Sequence, residues 1–252
     1  MLGVETFNQK MHSVIEILKN SGINGCITGS CLLDADFDSW SVKPDIDVFV
    51  YGERYMVEAI CILRSRYGFE FGVDETERSK KQEKKKYGWL LKGKKNKKFK
   101  SLQTIKLNWD GIICNVSCKK FQNNVADVVN CFDMTLIMKG WDIPHGFMYD
   151  MTNQWCPSNM AIPNKLREVD EDILTTAYWI RQFDRVIKYW DRGYDTRPMA
   201  RFYIQQIDEV LDQADTFTSD SYRSFFDEFA EEFIETKNRI VRWLEDKEDS
   251  ND

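Results

Sequence analysis

The chain has 252 residues, enough for one large domain or two modest ones with a substantial core. With 42% hydrophobic and 30% charged residues it is a globular chain, which excludes a disordered or fibrous protein. The net charge of −6 hides a strong asymmetry: residues 78–100 hold eleven Lys and one Arg against one Glu, a net of +11 that leaves −17 on the rest.

Residues 5–20 place Phe7, Met11, Val14, Ile15 and Leu18 at helical spacing, and Ser21-Gly22 ends the helix. Ile23–Thr28 reads as a short strand broken at Gly29-Ser30, with a second short helix around Cys31–Phe37. Asp45–Tyr51 alternates polar and apolar and then turns wholly apolar, as a strand entering a core does. Glu53–Tyr67 returns to helical spacing through Met56, Val57, Ile60 and Leu63, and Phe69–Val73 reads as a further strand. After the basic segment, two alternating runs flank Asp110-Gly111, a pair suited to a type I′ hairpin turn. Phe132–Met138 is a short apolar run. Residues 140–165 hold three of the five prolines and read as irregular connection, and three helices are expected at 166–191, 198–214 and 220–246. The aromatic rows Trp179, Phe183, Trp190 and Phe225, Phe226, Phe229, Phe233 have the spacing of helix-core packing. The expected fold class is α+β: a head with a mixed or antiparallel sheet flanked by helices, residues 1–150, and an all-helical domain, residues 151–252.

No apolar run approaches the ~18 residues of a membrane span. The N-terminal MLGVETFNQKMHSVIEIL carries charges where a signal peptide needs an apolar stretch, so a cytoplasmic location is expected. Seven scattered cysteines without a CxxC pair point to reduced thiols, and Cys114 and Cys118, four apart on a strand, to core packing. Two histidines, His12 and His145, leave little for a histidine metal site. Gly88–Lys95 nearly fits the phosphate loop GxxxxGK[ST]. Lys95 stands where a magnesium-binding hydroxyl is needed, however, and Trp89 and Leu90 are too bulky for such a loop.

The informative segment runs from Cys26-Ile-Thr-Gly-Ser-Cys to Pro44-Asp45-Ile46-Asp47-Val48. On a strand, Asp45 and Asp47 point to one face and repel each other unless a cation lies between them. Magnesium suits such a pair, because it takes hard oxygen ligands and commonly shares carboxylates with substrate phosphates. Gly29 allows close backbone approach, and Ser30, at a turn opening a helix, offers a hydroxyl and helix N-terminal amides to a phosphate. The alternative is a pair of solvated edge-strand carboxylates beside an ordinary turn.

Thr28-Gly29-Ser30 followed, after fourteen residues, by Asp45-Ile46-Asp47-Val48 resembles the DNA polymerase beta-like nucleotidyltransferase superfamily. That superfamily includes CCA-adding enzymes, poly(A) polymerases and small phage-type or toxin-type nucleotidyltransferases. Phe132-Asp133-Met134-Thr135 resembles the Asp-Phe-Thr element of the CCA-adding and phage-type branches. Arg185-Val-Ile-Lys188-Tyr189-Trp-Asp-Arg192-Gly193 resembles a helix end of viral and mobile-element members. The resemblance implies transfer of NMP from an NTP to an acceptor hydroxyl, with Asp45 and Asp47 holding two magnesium ions and Gly29 and Ser30 facing the phosphates. Many members add a third carboxylate on a later strand. Here that strand is Ile112–Cys118, and its inward slot is Asn115 or Ser117; Asp133 is a substitute candidate, with a structural hydrogen-bonding role as its alternative.

Arg181, Arg185 and Lys188 make one helical face basic, which either lines the nucleotide cleft or is solvated. An RNA 3′ end is the favoured acceptor, a protein or small-molecule hydroxyl the runner-up, and a non-catalytic RNA- or partner-binding protein on a decayed transferase fold the rival.

The basic segment, with Tyr87, Trp89 and Phe99 among its lysines, has the composition of an RNA-binding arm. Neutralising six of its lysines should then flatten the log–log salt dependence of single-stranded RNA binding by roughly 4, at about 0.7 per phosphate contact. An unchanged slope in a titration across salt concentrations would make the segment a solvated insertion.

Overall fold

The computed structural model describes residues 6–34, 43–71, 101–119, 122–152, 160–162, 176–213 and 220–248. The basic segment 78–100 lies outside them. The chain divides into two compact units, one of residues 1–132 with 137–151, the other of residues 133–136 with 152–252. Among the described residues no helix is long and apolar enough to cross a membrane.

The first unit opens with α1 (Phe7–Asn20), started by a capping box in which Thr6 and Gln9 satisfy each other's backbone N–H. Among the described residues seven strands follow in one mixed sheet: β1 (Gly25–Thr28), β2 (Ile46–Val50), β3 (Glu70–Phe71), β4 (Ser101–Trp109), β5 (Ile112–Lys119), β6 (Lys139–Asp142) and β7 (Phe147–Asp150). Their order is β3-β4-β5-β2-β1-β6-β7, and only β2 and β5 run parallel. The sheet with its flanking helices and the helical second unit make the fold α+β.

The alternation in β2 sorts the sheet's two faces. Ile46, Val48 and Val50 are at most 1% exposed, while the residues between them are half-buried. Ile27, Leu107, Cys114 and Val116 join the apolar face, and α2 (Glu53–Tyr67) packs on β2 and β5 with α1 beside it. On the opposite face the short helix α3 (Val125–Val129) packs over β6 and β1, in a cluster of Cys26, Val125, Val128, Val129 and Met138. That approach needs Gly140, where a Cβ would stand 2.4 Å from Val125 Cγ2.

The β4–β5 hairpin turns at Asp110 (φ +46°) and Gly111 (φ +78°), the two positive values of a type I′ turn. Its end is fastened to α1. The buried Lys10 pairs with Asp110 at 3.3 Å and lies 4.8 Å from the centre of the Trp109 ring, which also packs on Tyr67.

Residues 139–150 correct the sequence expectation. They form the hairpin β6–β7 rather than irregular chain, with Gly146 at φ +69° in the turn. Phe147 and Met148 are 46% and 41% exposed, so this edge strand has no apolar alternation to reveal it. Of the short helix expected around Cys31–Phe37, the described part holds one 3-10 turn, Gly29–Leu32, and residues 35–37 lie outside the described residues.

The second unit holds α4 (Thr176–Trp190), α5 (Arg197–Gln213) and α6 (Asp220–Glu248), each packed against the other two. Phe183 and Phe233 are buried in it, and Trp243 meets Phe183 and Trp190 edge-on. Lys237–Asp208 and Arg201–Glu248 pair α6 with α5. The side chains of Trp179, Phe225, Phe226 and Phe229 lie outside the described residues.

A Cβ on Gly25 would stand 2.4 Å from the Phe49 carbonyl oxygen, so β1 reaches β2 only because this position has no side chain. Gly25→Ala should lower stability by about 1–3 kcal/mol, the usual cost of overpacking, measured by urea unfolding.

Candidate active site

Asp45 stands one residue before β2 and Asp47 lies on it, both half-buried, while the intervening Ile46 points into the core. β2 is central in the sheet, so Asp47 has a register partner on each side: Thr28 of β1 and Asn115 of β5. Asn115 Nδ2 donates to Asp47 Oδ1 at 2.9 Å and to Asp45 Oδ2 at 3.2 Å. The two carboxylates therefore converge on one amide nitrogen, whose two protons serve one oxygen each. Of the two slots the sequence offered on β5, Asn115 is the one at the pair. Ser117 shares a hydrogen bond with Thr104 of β4 at 3.0 Å.

β1 delivers the rim. Gly29 follows its last residue at φ +87°, a conformation open to glycine, and a Cβ there would stand 2.7 Å from Asp47 Oδ2. The absent side chain is what keeps that carboxylate oxygen accessible from the turn. Ser30 lies in the following turn and is 7% exposed, within a 3-10 segment of four residues that is too short for the helix N-terminus expected from the sequence. Thr28 is fully buried, and its Oγ1 has no hydrogen-bond partner. The sequence reading took Thr28 only as part of Thr28-Gly29-Ser30 and gave it no role; it is the register partner of Asp47 on β1.

Two thiols lie close to the carboxylates. Cys31 Sγ donates to the Thr28 carbonyl at 3.2 Å. Burial, then the negative charge of Asp47, pushes the Cys31 thiol well above its ordinary range. Burial first and Asp47 next do the same to Cys114. Both stay protonated, so they add no charge to the pair. Cys114 and Cys118 are both buried, as packing residues are. Lys106 of β4 is the register partner of Asn115 and shares its face of the sheet.

The remaining sequence candidates lie in the second unit. Arg185 donates to Asp133 at 2.9 Å, with Asp133 8% and Arg185 32% exposed at their side chains. Burial works to lower the Arg185 guanidinium, but Asp133, with Tyr189 and Tyr203, outweighs it and holds the group above its ordinary value. Asp133 thus has the structural partner that its alternative reading required. Lys188 is exposed, its Nζ 5.8 Å from the centre of the Tyr189 ring.

Among the described residues no group of three or more His, Cys, Asp or Glu could hold a metal ion. Two carboxylates already converging, a space that a Cβ at Gly29 would fill and the orphaned Thr28 hydroxyl nevertheless fit a hard divalent cation shared with a ligand that brings its own oxygens.

No protein-family model and no curated protein matches the chain. Among solved structures it is similar to a CCA-adding enzyme in complex with ATP, at 13% identity and a TM-score of 0.49, over 92% of this chain and 51% of that one. It is similar also to the Thermotoga maritima CCA-adding enzyme complexed with tRNA, at 11% and 0.48, over 96% and 52%. A third is a tRNA-processing enzyme, at 11% and 0.45, over 94% and 59%. The chain spans between half and three-fifths of the length of these proteins.

Gly29→Ala should strain the turn at positive φ and press a methyl group on Asp47 Oδ2, at a cost of about 1–3 kcal/mol. Thermal unfolding of the variant measures it, and an unchanged midpoint would mean that the turn adjusts freely.

Proposed function

We propose that the chain is a metal-dependent nucleotidyltransferase that moves NMP from an NTP to an acceptor hydroxyl, with an RNA 3′ end as the favoured acceptor. The observation that carries this reading is the convergence of Asp45 and Asp47 beside Gly29. Asp45 and Asp47 would hold the magnesium ions, two in the full arrangement. When bound, these supply charge for the triphosphate and lower the pKa of the attacking hydroxyl. Gly29 and Ser30 line the phosphate side of the pair, and Gly29 keeps it open. Thr28 offers a buried hydroxyl that a phosphate oxygen or water can satisfy. The preference for RNA rests on the Lys-rich sequence of residues 78–100; Lys188, on the exposed face of α4, is a further candidate for phosphate contact.

Asn115, at the slot where many transferases of this type carry an anion, favours a second reading: a nucleotide- or RNA-binding protein without transfer activity. The same experiment separates the two.

Asp45→Asn and Asp47→Asn should each reduce NMP transfer by at least about 100-fold, the scale lost when one preorganised electrostatic contact is removed. Their melting temperatures should stay level or rise, because one of two like charges is gone. Labelled NTPs with total RNA measure transfer. Magnesium-dependent NTP binding without transfer in the wild type would establish the binding protein, and full transfer in either variant would overturn the assignment.

A further inference from the structure

Asn115 is the part of the site that the transfer reaction leaves unused. One nitrogen serves two carboxylates, 2.9 Å from Asp47 Oδ1 and 3.2 Å from Asp45 Oδ2. Each bond fixes the direction of one oxygen, so both oxygens aim at a common point before any cation arrives. Without a positive partner, two like charges on neighbouring same-face positions would turn away from each other toward water. The amide supplies a partial positive charge at the place where a cation would relieve the repulsion.

It does so without net charge. A carboxylate at this position would raise the local charge from two negative groups to three, and ligand charge is a main determinant of divalent affinity. Among the described residues beside the pair, Cys31 and Cys114 are buried thiols, and the register partner of Asn115 on β4 is Lys106, on the same face of the sheet. Asn115 is held in place by strand pairing on both sides, with Asp47 of β2 and Lys106 of β4.

We propose that Asn115 is a positioning residue whose amide holds Asp45 and Asp47 converged in the cation-free chain and whose neutrality keeps that chain's affinity for divalent cations low. The proposal rests on the reading of Asp45 and Asp47 as cation ligands and not on the transfer reaction itself. The cation-free site is thereby preorganised, and its full ligand set is completed by oxygens that a nucleotide brings.

The test is a Mn2+ titration of the full chain without nucleotide, with free ion followed by electron paramagnetic resonance, alongside thermal melts in EDTA and in Mn2+. Asn115→Asp should bind Mn2+ tighter than wild type by about tenfold or more, the range over which ligand charge tunes such sites. It should melt below wild type in EDTA and recover in Mn2+. Adding Asp45→Asn to Asn115→Asp should return the affinity to the wild-type range. Asn115→Ala should also melt lower in EDTA, and Mn2+ should close the gap, because the cation takes over the amide's role. An Asn115→Asp variant that binds no tighter, or an Asn115→Ala gap that survives Mn2+, overturns the proposal and makes Asn115 a packing residue. Should Asn115→Asp fail to fold in EDTA, the Asn115→Ala melts decide alone. If these arms hold while the wild type transfers no NMP, the transferase reading fails and the brace stands; transfer with the arms failing is the reverse.

Discussion

Two carboxylates on one face of a buried strand are the constraint around which the first unit is organised. Unit charges about 4 Å apart repel by about 4 kcal/mol at an effective dielectric of about 20, a large fraction of a domain's net stability. The fold meets this by placing β2 between two strands that each contribute to the pair. From β5 comes the Asn115 amide, and from β1 comes a turn whose glycine leaves Asp47 Oδ2 uncovered. Move β2 to an edge of the sheet and one of these is lost.

The rest of the sheet follows from sorting its two faces. Ile46, Val48 and Val50 bind the strand to the core under α1 and α2, so the backbone of the carboxylate strand is anchored by apolar burial rather than by the polar site. On the other face α3 packs on β6 and β1, through the gap left by Gly140, and Asp45, Asp47 and Asn115 stay half-buried. A polar group at that depth keeps access to a ligand while its hydrogen bonds gain from reduced screening.

The second unit has a different electrostatic character. Asp133, which follows a sheet-unit segment in sequence, belongs to this unit and is paired with Arg185 on α4. Breaking such a pair leaves a nearly buried charge unpaired, so the pair holds the segment at Asp133 to α4. The aromatic packing of Phe183, Trp190 and Trp243 then ties α4 to α6.

Much of this was legible from local signals. The helical spacing of Phe7 to Leu18, the Asp110-Gly111 turn and the alternation from Asp45 are short-range patterns, and each appears as α1, the β4–β5 hairpin and β2. The same alternation puts Asp45 and Asp47 on one face. Hidden were the β6–β7 hairpin, whose Phe147 and Met148 face solvent, and the 3-10 turn at Gly29–Leu32. The partner of the carboxylates was hidden as well. Asn115 and Ser117 share one face of β5 and are equivalent to any reading of period two; the parallel register of β5 on β2 sets Asn115 opposite Asp47, and the antiparallel register of β4 on β5 sets Ser117 opposite Thr104. The sequence by itself determined which residues alternate and turn, because those choices are made by neighbours a few positions apart. Which amide meets the carboxylates was decided by the tertiary structure, because that register joins strands more than sixty residues apart and depends on the packing of the whole sheet.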